Sequence, residues 1–589
     1  MDTGTLCAQL SGLPRHLGTH SSGIVVSDVP LAGVCPIGWA AKGVTVAGLD
    51  KDDVEAEGIG LLKMDQLSLR ALTAIDLAVD RLVVRDPLFD YAGRDREDPE
   101  TLAMIRAAET VGCFQLESPA QMALQWRLKA DRFEDLVASV ALIRPGPLLG
   151  KTVEPYIRRR HGWEPVTYPL PELEPVLRET YGRVLFQDQV LDVVRAVGDL
   201  SPDEADQFQR AITHARSPEE MARLGLSLFE KAQAKGMTKK AFSRLWKQIQ
   251  GFSRYGFCHG HAVAFADHAQ GTAWLLRHHP AEFLAATLSV EPCGFWPVST
   301  VVAEAQRRGV AVHGPCINRS AGEAWQVEPT PAASSGLGAT APDVLLENKE
   351  VGGQAIRCSL AYVREVHRAA GLIEGEREAR GAFVSLVDVC RRCAFLSREQ
   401  LEWLALAGAL DGFCPSRRET LWSLPALHTG HGDTQKAHRR REVDGQTAAA
   451  MEVPPLLPRG LADFTQSERF HRQWQALGFS PEGHPILSLR DELTSQGIGT
   501  CGSLRQATSG AAVTVAGLVI RPHRPPAAGG TVFFTLEDET GMAHVTVFPS
   551  VYETCGSEIY GHAALAVTGM AQKRGDGVLL VAQTVRAVV

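Results

Sequence analysis

The spacing of hydrophobic and polar positions changes along this chain, and each change predicts a different kind of element. Near the start, SGIVVSDVPL reads as a strand running into a turn, and LSLRALTAIDLAVDRLV (67–83) spaces its Leu, Ile and Val along one helical face. Residues 1–80 are therefore expected to be mixed α/β. From about 100 to 310 the apolar spacing is helical, with breaks marked by proline at RPGPL (144–148), LSPDEAD (200–206) and HHPAEF (279–283). Ser201 is the expected N-cap of the helix beginning SPDEAD, which has acids in its first turn, and Ser217 repeats the arrangement before Pro218-Glu219-Glu220. Further short helices are expected over 350–425, one of which, SREQLEWLALAGALDGF (397–413), closes on glycine. Between 428 and 460 apolar periodicity stops, and polar, charged, then proline-rich sequence predicts a flexible linker.

After a short helical connector, residues 511–589 alternate with the two-residue period of strands: VTVAGLVI, TVFFTLEDET, AHVTVF, LAVTGMA and VLLVAQTV. Short strands divided by Gly/Asp turns predict a small barrel of the OB type, a common binder of single strands. No internal repeat is present.

The length of 589 residues calls for several domains, and 45% hydrophobic with 22% charged residues is ordinary globular composition. The sequence holds no apolar run of spanning length and no basic-then-apolar leader, so neither a membrane partner nor secretion is expected. Twelve cysteines without a disulfide framework suit a reducing cytoplasm. Cys390 and Cys393 form the one close pair, and without a second pair at zinc-ribbon spacing they read as structural.

A net charge of −8 excludes a protein coated in positive charge, but a groove needs only local charge. Between Asp206 and Arg254 the balance reverses: Arg210, Arg216, Arg223, Lys231, Lys235, Lys239, Lys240, Arg244, Lys247 and Arg254 face only Asp206, Glu219, Glu220 and Glu230. YIRRRHGW (156–163) adds Arg158, Arg159 and Arg160. One such cluster is ordinarily a solvated helix face; two flanking the segment GFSRYGFCHGHAVAFADHAQ (251–270) favour a phosphate-facing groove.

Chemistry-bearing residues are few. In GIGLLKMDQLSLR (58–70), Lys63 and Asp65 lie two apart after an apolar run, so on a strand they share a face. Such a pair is either a surface ion pair or part of a phosphoryl-transfer centre, where a carboxylate holds a divalent metal and an ammonium a phosphate. His259 and His261 supply two of the three or four ligands that a metal needs, so a metal hydrolase finds no coherent ligand set.

The ordered series VGCFQLES (111–118), ALIRPGPL (141–148), YGRVLFQDQV (181–190), EADQFQRAI (204–212), YGFCHGHAVAFA (255–266) and HHPAEFLAATLS (278–289) resembles the fingers of the bacterial C-family DNA polymerases, the polymerase III alpha subunits. EPCGFWPVSTVVAEAQRRGVAVHGPCINRS (291–320), LGFSPEGHPI (477–486) and VAGLVIRPHRPPAAGGTVFFTLEDETGMAHVTVF (515–548) are similar to the error-prone, damage-tolerant branch. LPRHLGTHSSGIVVSDVPL (13–31) looks like the re-entry of that family into its palm. The resemblance is collinear over nearly the whole chain.

What the resemblance implies is a multidomain α+β protein. It divides into the end of the thumb and second part of the palm (1–80, α/β), largely helical fingers (81–310), a helix-hairpin-helix region (311–425), a linker (426–460), a helical connector (461–510) and the OB barrel (511–589). Asp65 matches the third metal-binding carboxylate of the palm, with Mg²⁺ as cofactor, and Lys63 the lysine that reaches the triphosphate. Arg210 matches the second of two arginines that clamp phosphates, the first being Gln209 here; Tyr255 and His261 match the surface facing the incoming nucleotide. Arg144, Arg158, Arg159, Arg160, Arg216, Lys239, Lys240 and Arg254 are the expected DNA contacts.

There are departures. Cys258-His259-Gly260 stands where Asn-Lys-Ser is usual, and THARSPEEM (213–221) keeps only Arg216 of a lysine-rich motif. Arg364-Glu365-Val366-His367 replaces an Arg-Gly-Leu-Gly hairpin that gives backbone N–H groups to a phosphate. The linker lacks the short Gln-and-apolar peptide used for clamp binding. No Pro-Asp-x-Asp-x-Asp strand is found, so either a separate polypeptide supplies the N-terminal half with the other palm carboxylates, or the chain is a remnant or truncated form. The expected function is template-directed deoxynucleotide transfer in replication and translesion repair, by the C-terminal part of an error-prone polymerase. Its partners would be primer-template and single-stranded DNA, deoxynucleoside triphosphates and accessory mutasome proteins. The alternative is a non-catalytic DNA-binding remnant or accessory protein that keeps the groove and barrel.

Overall fold

The computed structural model describes residues 6, 9–10, 18–20, 22–40, 43–50, 53–54, 59–66, 68–144, 152–214, 218–251, 257–329, 353–428, 461–525 and 528–588, apart from a few helical side chains. They fall into two units, 1–70 and 71–589.

The first unit is built from short strands: β1 (Gly23–Val26), β2 (Ile37–Trp39), β3 (Thr45–Ala47) and β4 (Leu62–Asp65). β1 pairs antiparallel with β4, setting Gly23 opposite Asp65 and Val25 opposite Lys63, while β2 pairs with β3. The period of two puts Lys63 and Asp65 on one face of the ribbon and Ile24, Val26, Leu62 and Met64 on the other. Those four apolar side chains remain between 45% and 56% exposed.

In the second unit a helical body runs through α1 (Arg70–Arg85), α2 (Pro99–Arg106), α3 (Pro119–Leu128), α4 (Phe133–Leu142) and α5 (Val153–Arg160). It continues through α6 (Gln187–Gly198), α7 (Pro202–His214), α8 (Pro218–Ala234), α9 (Lys239–Gly251), α10 (His259–His278), α11 (Pro280–Ser289) and α12 (Val298–Arg307). Local signals set several of these ends. Ser201 Oγ accepts from Glu204 N at 3.3 Å while the Glu204 carboxylate accepts from Ser201 N at 2.8 Å, a reciprocal cap. Helices α6 to α9 share a small core of their own, including Val193, Val197, Leu228, Phe242 and Ile249.

The region after α12 combines a three-stranded sheet, ordered β5 (Ala311–His313), β7 (Gln354–Arg357), β6 (Gln326–Pro329), with α13 (Ala370–Arg380), α14 (Leu386–Arg392), α15 (Arg398–Ala407) and α16 (Arg417–Leu427). Ser397 caps α15, and Gly408, at φ 90°, closes it in the left-handed region that favours glycine. Cys390 and Cys393 are buried thiols of this core, and burial pushes their pKa values up to about 11 and about 12. The linker expected at 428–460 lies, beyond residue 428, outside the described residues.

After α17 (Gln466–Leu477), strands β8 (Ala512–His523), β9 (Val532–Asp538), β10 (Gly541–Val547), β11 (Ala564–Arg574) and β12 (Gly577–Ala587) close a barrel in the order β8, β9, β10, β12, β11. Every pairing is antiparallel except β10 with β12. The five strands match the alternation in the sequence. A helix that the alternation did not predict, α18 (Pro549–Gly561), joins β10 to β11; Pro549 at its first turn supplies the helical φ.

The barrel is fastened to the helical body. A Cβ on Gly577 would lie 1.9 Å from the Trp126 ring, and one on Gly575 2.1 Å from the Trp126 carbonyl oxygen, so the β11–β12 turn fits only because both lack side chains. Lys129 pairs with Asp576 at 2.9 Å beside it. Deeper in, the Glu537 carboxylate, 1% exposed, accepts from Thr300 Oγ1 at 2.7 Å and from Arg307 at 3.3 Å, and Arg307 also holds Glu304. Among the described residues no helix is long and apolar enough to cross a membrane.

Candidate functional site

In the first unit, ladder register creates the site. Lys63 Nζ stands 3.2 Å from Asp65 Oδ2, as their spacing on a strand requires. The other carboxylate oxygen, Oδ1, lies 3.5 Å from Ser22 Oγ and 3.6 Å from His20 Nδ1. His20 and Ser22 are members of this cluster that sequence spacing did not single out; the pairing of Gly23 with Asp65 is what brings them there. Asp65 contributes one carboxylate, half exposed and already beside an ammonium. No group of three or more His, Cys, Asp or Glu able to hold a metal ion occurs among the described residues. These donors therefore do not by themselves fit a divalent ion, which needs several oxygen ligands.

In the second unit the histidine-bearing segment forms α10, and its histidines diverge. Cys258 is the N-cap, its Sγ accepting from His261 N at 3.3 Å. Asp188 Oδ2 accepts from His259 N at 2.5 Å, placing a carboxylate where the positive end of the helix dipole favours one. The His259 ring packs on Phe186 with centroids 4.6 Å apart; His278 reaches Asp98 at 2.9 Å, and His279 meets Phe89. His261 lies between Phe257 and Phe265, with ring centroids at 4.9 and 3.9 Å, and Arg144 lays its guanidinium 3.7 Å over the Phe257 ring. Partial burial and the Arg144 charge hold the His261 pKa below the ordinary imidazole value, so the ring is neutral at pH 7. Arg144, Phe257, His261 and Phe265 thus make an aromatic and cationic surface of the kind that packs against bases and sugars. The opposite side of α10 is anchored: Arg94, 3% exposed, donates to Gln270 at 2.9 Å and to Asp267 at 2.8 Å.

The basic cluster at 158–160 divides. Arg160 is bound to Asp135 and Asp131, its closest contact 2.5 Å, with 8% of its side chain exposed. Arg159 pairs with Glu164 at 3.0 Å and donates to the Tyr181 carbonyl at 2.9 Å. Both are thus occupied within the fold, and only Arg158 keeps most of its surface. Lys239 and Lys240 are exposed at the start of α9. Arg210 lies on α7, its side chain outside those described, while Arg216, Arg254 and Tyr255 lie outside the described residues altogether.

In the hairpin at 363–367, Glu365 takes φ 62°, the left-handed conformation for which glycine is suited, and its carbonyl accepts from Gln400 at 2.8 Å. The turn thus holds a residue bearing a carboxylate at a positive φ.

Residues 71–236 match the family model described as the bacterial DNA polymerase III alpha subunit finger domain, 309–420 a helix-hairpin-helix motif, and 2–68 the bacterial DNA polymerase III alpha NTPase domain. The chain is similar to the error-prone DNA polymerase of Symbiobacterium thermophilum, 42% identical over 603 residues covering 98% of this chain and 54% of the relative. It is similar also to those of Mycobacterium bovis (38% over 582 residues, 98% and 50%) and Anaeromyxobacter sp. strain K (37% over 584 residues, 97% and 49%). The chain belongs to the bacterial DNA polymerase III alpha-subunit family. It spans about half the length of the curated relatives it matches.

Proposed function

We propose that this chain supplies the second part of a palm, the fingers, a helix-hairpin-helix region and an OB-type barrel to an error-prone DNA polymerase, dividing near the boundaries given above. The observation that carries the reading is Lys63 beside Asp65 on β4, within the segment that matches the alpha-subunit NTPase domain. For the barrel, support comes from its strand order, its single parallel closure of β10 on β12, and the helix between β10 and β11. In this reading Lys63 draws the triphosphate of an incoming nucleotide to the face that bears Asp65. In the second unit, the surface around His261 packs bases and sugars without reading sequence, and Arg144, Arg158, Lys239 and Lys240 meet DNA phosphates.

Since the described donors do not complete a divalent site, the remaining carboxylates come from further polypeptide corresponding to the unmatched half of the relatives. The exposed apolar face of Ile24, Val26, Leu62 and Met64 supports this, because a two-stranded ribbon is marginal until other strands or helices cover it. The same shortage of carboxylates favours a second reading: a DNA-binding member of the family that does not itself transfer nucleotides.

The test is primer extension by the full chain, alone and with a polypeptide carrying a Pro-Asp-x-Asp-x-Asp strand. Extension by the pair should be abolished in Asp65→Asn, which keeps the shape and removes the charge. Wild-type extension by Asp65→Asn rules out the role given to Asp65 and the Lys63–Asp65 site as the carrier of this reading; DNA binding without extension under any pairing favours the second one.

A further inference from the structure

We propose that His20 is a third ligand-contacting side chain of the Lys63–Asp65 site, offering its Nε2–H as a donor to a phosphate-bearing ligand; this rests on the reading of that site given above. The ring's protonation pattern follows from its contacts. His20 Nδ1 accepts from Gly23 N at 2.7 Å and from Ser22 N at 3.2 Å. A nitrogen that accepts carries no hydrogen, so the ring N–H is the one on Nε2, while Nδ1 lies 3.6 Å from Asp65 Oδ1. The Nδ1 lone pair is spent on two N–H groups, leaving nothing for a cation. What the ring can still give is an N–H.

Its position is built into the strand pair. Gly23 faces Asp65 across the ladder, and a Cβ there would lie 2.9 Å from His20 Nδ1 and 3.6 Å from Asp65 Oδ1. The absent side chain leaves the space that the imidazole fills. With His20 37%, Asp65 51% and Lys63 22% exposed, the three side chains are all within reach of solvent. Lys63 offers an ammonium and His20 an N–H, and an oxygen-rich anion accepts from both; the chemical class is a phosphate, from a nucleoside triphosphate or a DNA backbone.

The experiment uses the full chain and isothermal titration with inorganic tripolyphosphate and, separately, a short oligothymidylate. His20→Asn keeps an acceptor for the two backbone N–H groups, but its amide stops short of the Nε2 position. Gly23→Ala keeps the histidine and pushes the ring aside. Both should bind tripolyphosphate about tenfold more weakly than wild type with unchanged melting, the scale of one hydrogen bond to a charged group. A loss confined to tripolyphosphate assigns the ligand as a triphosphate, and an equal loss for the oligonucleotide assigns a backbone phosphate. If both variants bind like wild type while Lys63→Ala binds weakly, the His20 assignment is overturned and the Lys63–Asp65 site stands. If Lys63→Ala also binds like wild type, or the wild-type chain binds neither probe, the site itself is overturned and His20 with it.

Discussion

Arg307 offers the sharpest test of how the barrel is held. Its guanidinium lies 3.1 Å from Glu304 and 3.3 Å from Glu537, with 14% of its own side chain exposed and 1% of Glu537's. Arg307→Ala leaves Glu304 with Arg308 at 2.7 Å, but leaves Glu537 a buried carboxylate with only the Thr300 hydroxyl. Removing one partner from a buried pair costs about 3–5 kcal/mol, mostly through the charge left unpaired. Burial already raises the Glu537 pKa while Arg307 opposes the rise, so the variant raises it further. A carboxylate whose folded pKa exceeds its unfolded value binds more protons when folded, and its stability contribution falls as pH rises from the unfolded value through the folded one. The penalty should therefore be larger at pH 8 than at pH 5. Because the barrel has its own core around Val545, Val567 and Leu580, calorimetry should resolve an early transition for released barrel, and protease should cut between α17 and β8. A destabilisation below about 1 kcal/mol at pH 8, or one equal at both pH values, would refute the reasoning.

Three further outcomes follow from contacts already described. Arg160→Ala should cost about 3 kcal/mol by stranding Asp135, which is 1% exposed, and leave DNA affinity unchanged; Arg158→Ala should do the reverse, seen by urea unfolding and salt-dependent DNA titration. Burial pushes the Glu117 pKa up to about 7 against backbone N–H bonds from Gly112 and Phe295, so stability should fall by about 3 kcal/mol between pH 4.5 and 7. Glu117→Gln should flatten that window in melts taken across it. Glu365→Gly, relieving a positive φ, should stabilise the chain by about 1 kcal/mol, and a loss of stability would show that the carboxylate has a partner in the fold.

What could be read from the sequence was local. Ser201 announces its helix because a cap and its acceptor lie three residues apart, and Lys63 with Asp65 is legible because a strand repeats every second residue. The barrel strands declare themselves by alternation. Partners brought by tertiary folding were not legible: Asp135 is 25 residues from Arg160, Asp188 is 71 from His259, and Glu537 is 230 from Arg307. Read alone, the three arginines of YIRRRHGW look alike; in the fold each lies near a carboxylate, and what tells them apart is that Arg159 and Arg160 are largely buried against theirs while Arg158 stays exposed. His20 shows the same limit, since its place beside Asp65 depends on which strand β4 pairs with.

The turn from Gly575 to Gly577 lies against Trp126 with no room for a methyl group. This has a kinematic consequence. A joint this close transmits rotation instead of absorbing it, so when α3 tilts, the barrel tilts through the same angle. A strand lying on the barrel would then keep its distance from the helical surface throughout the swing, as a pointer keeps its length while the dial turns.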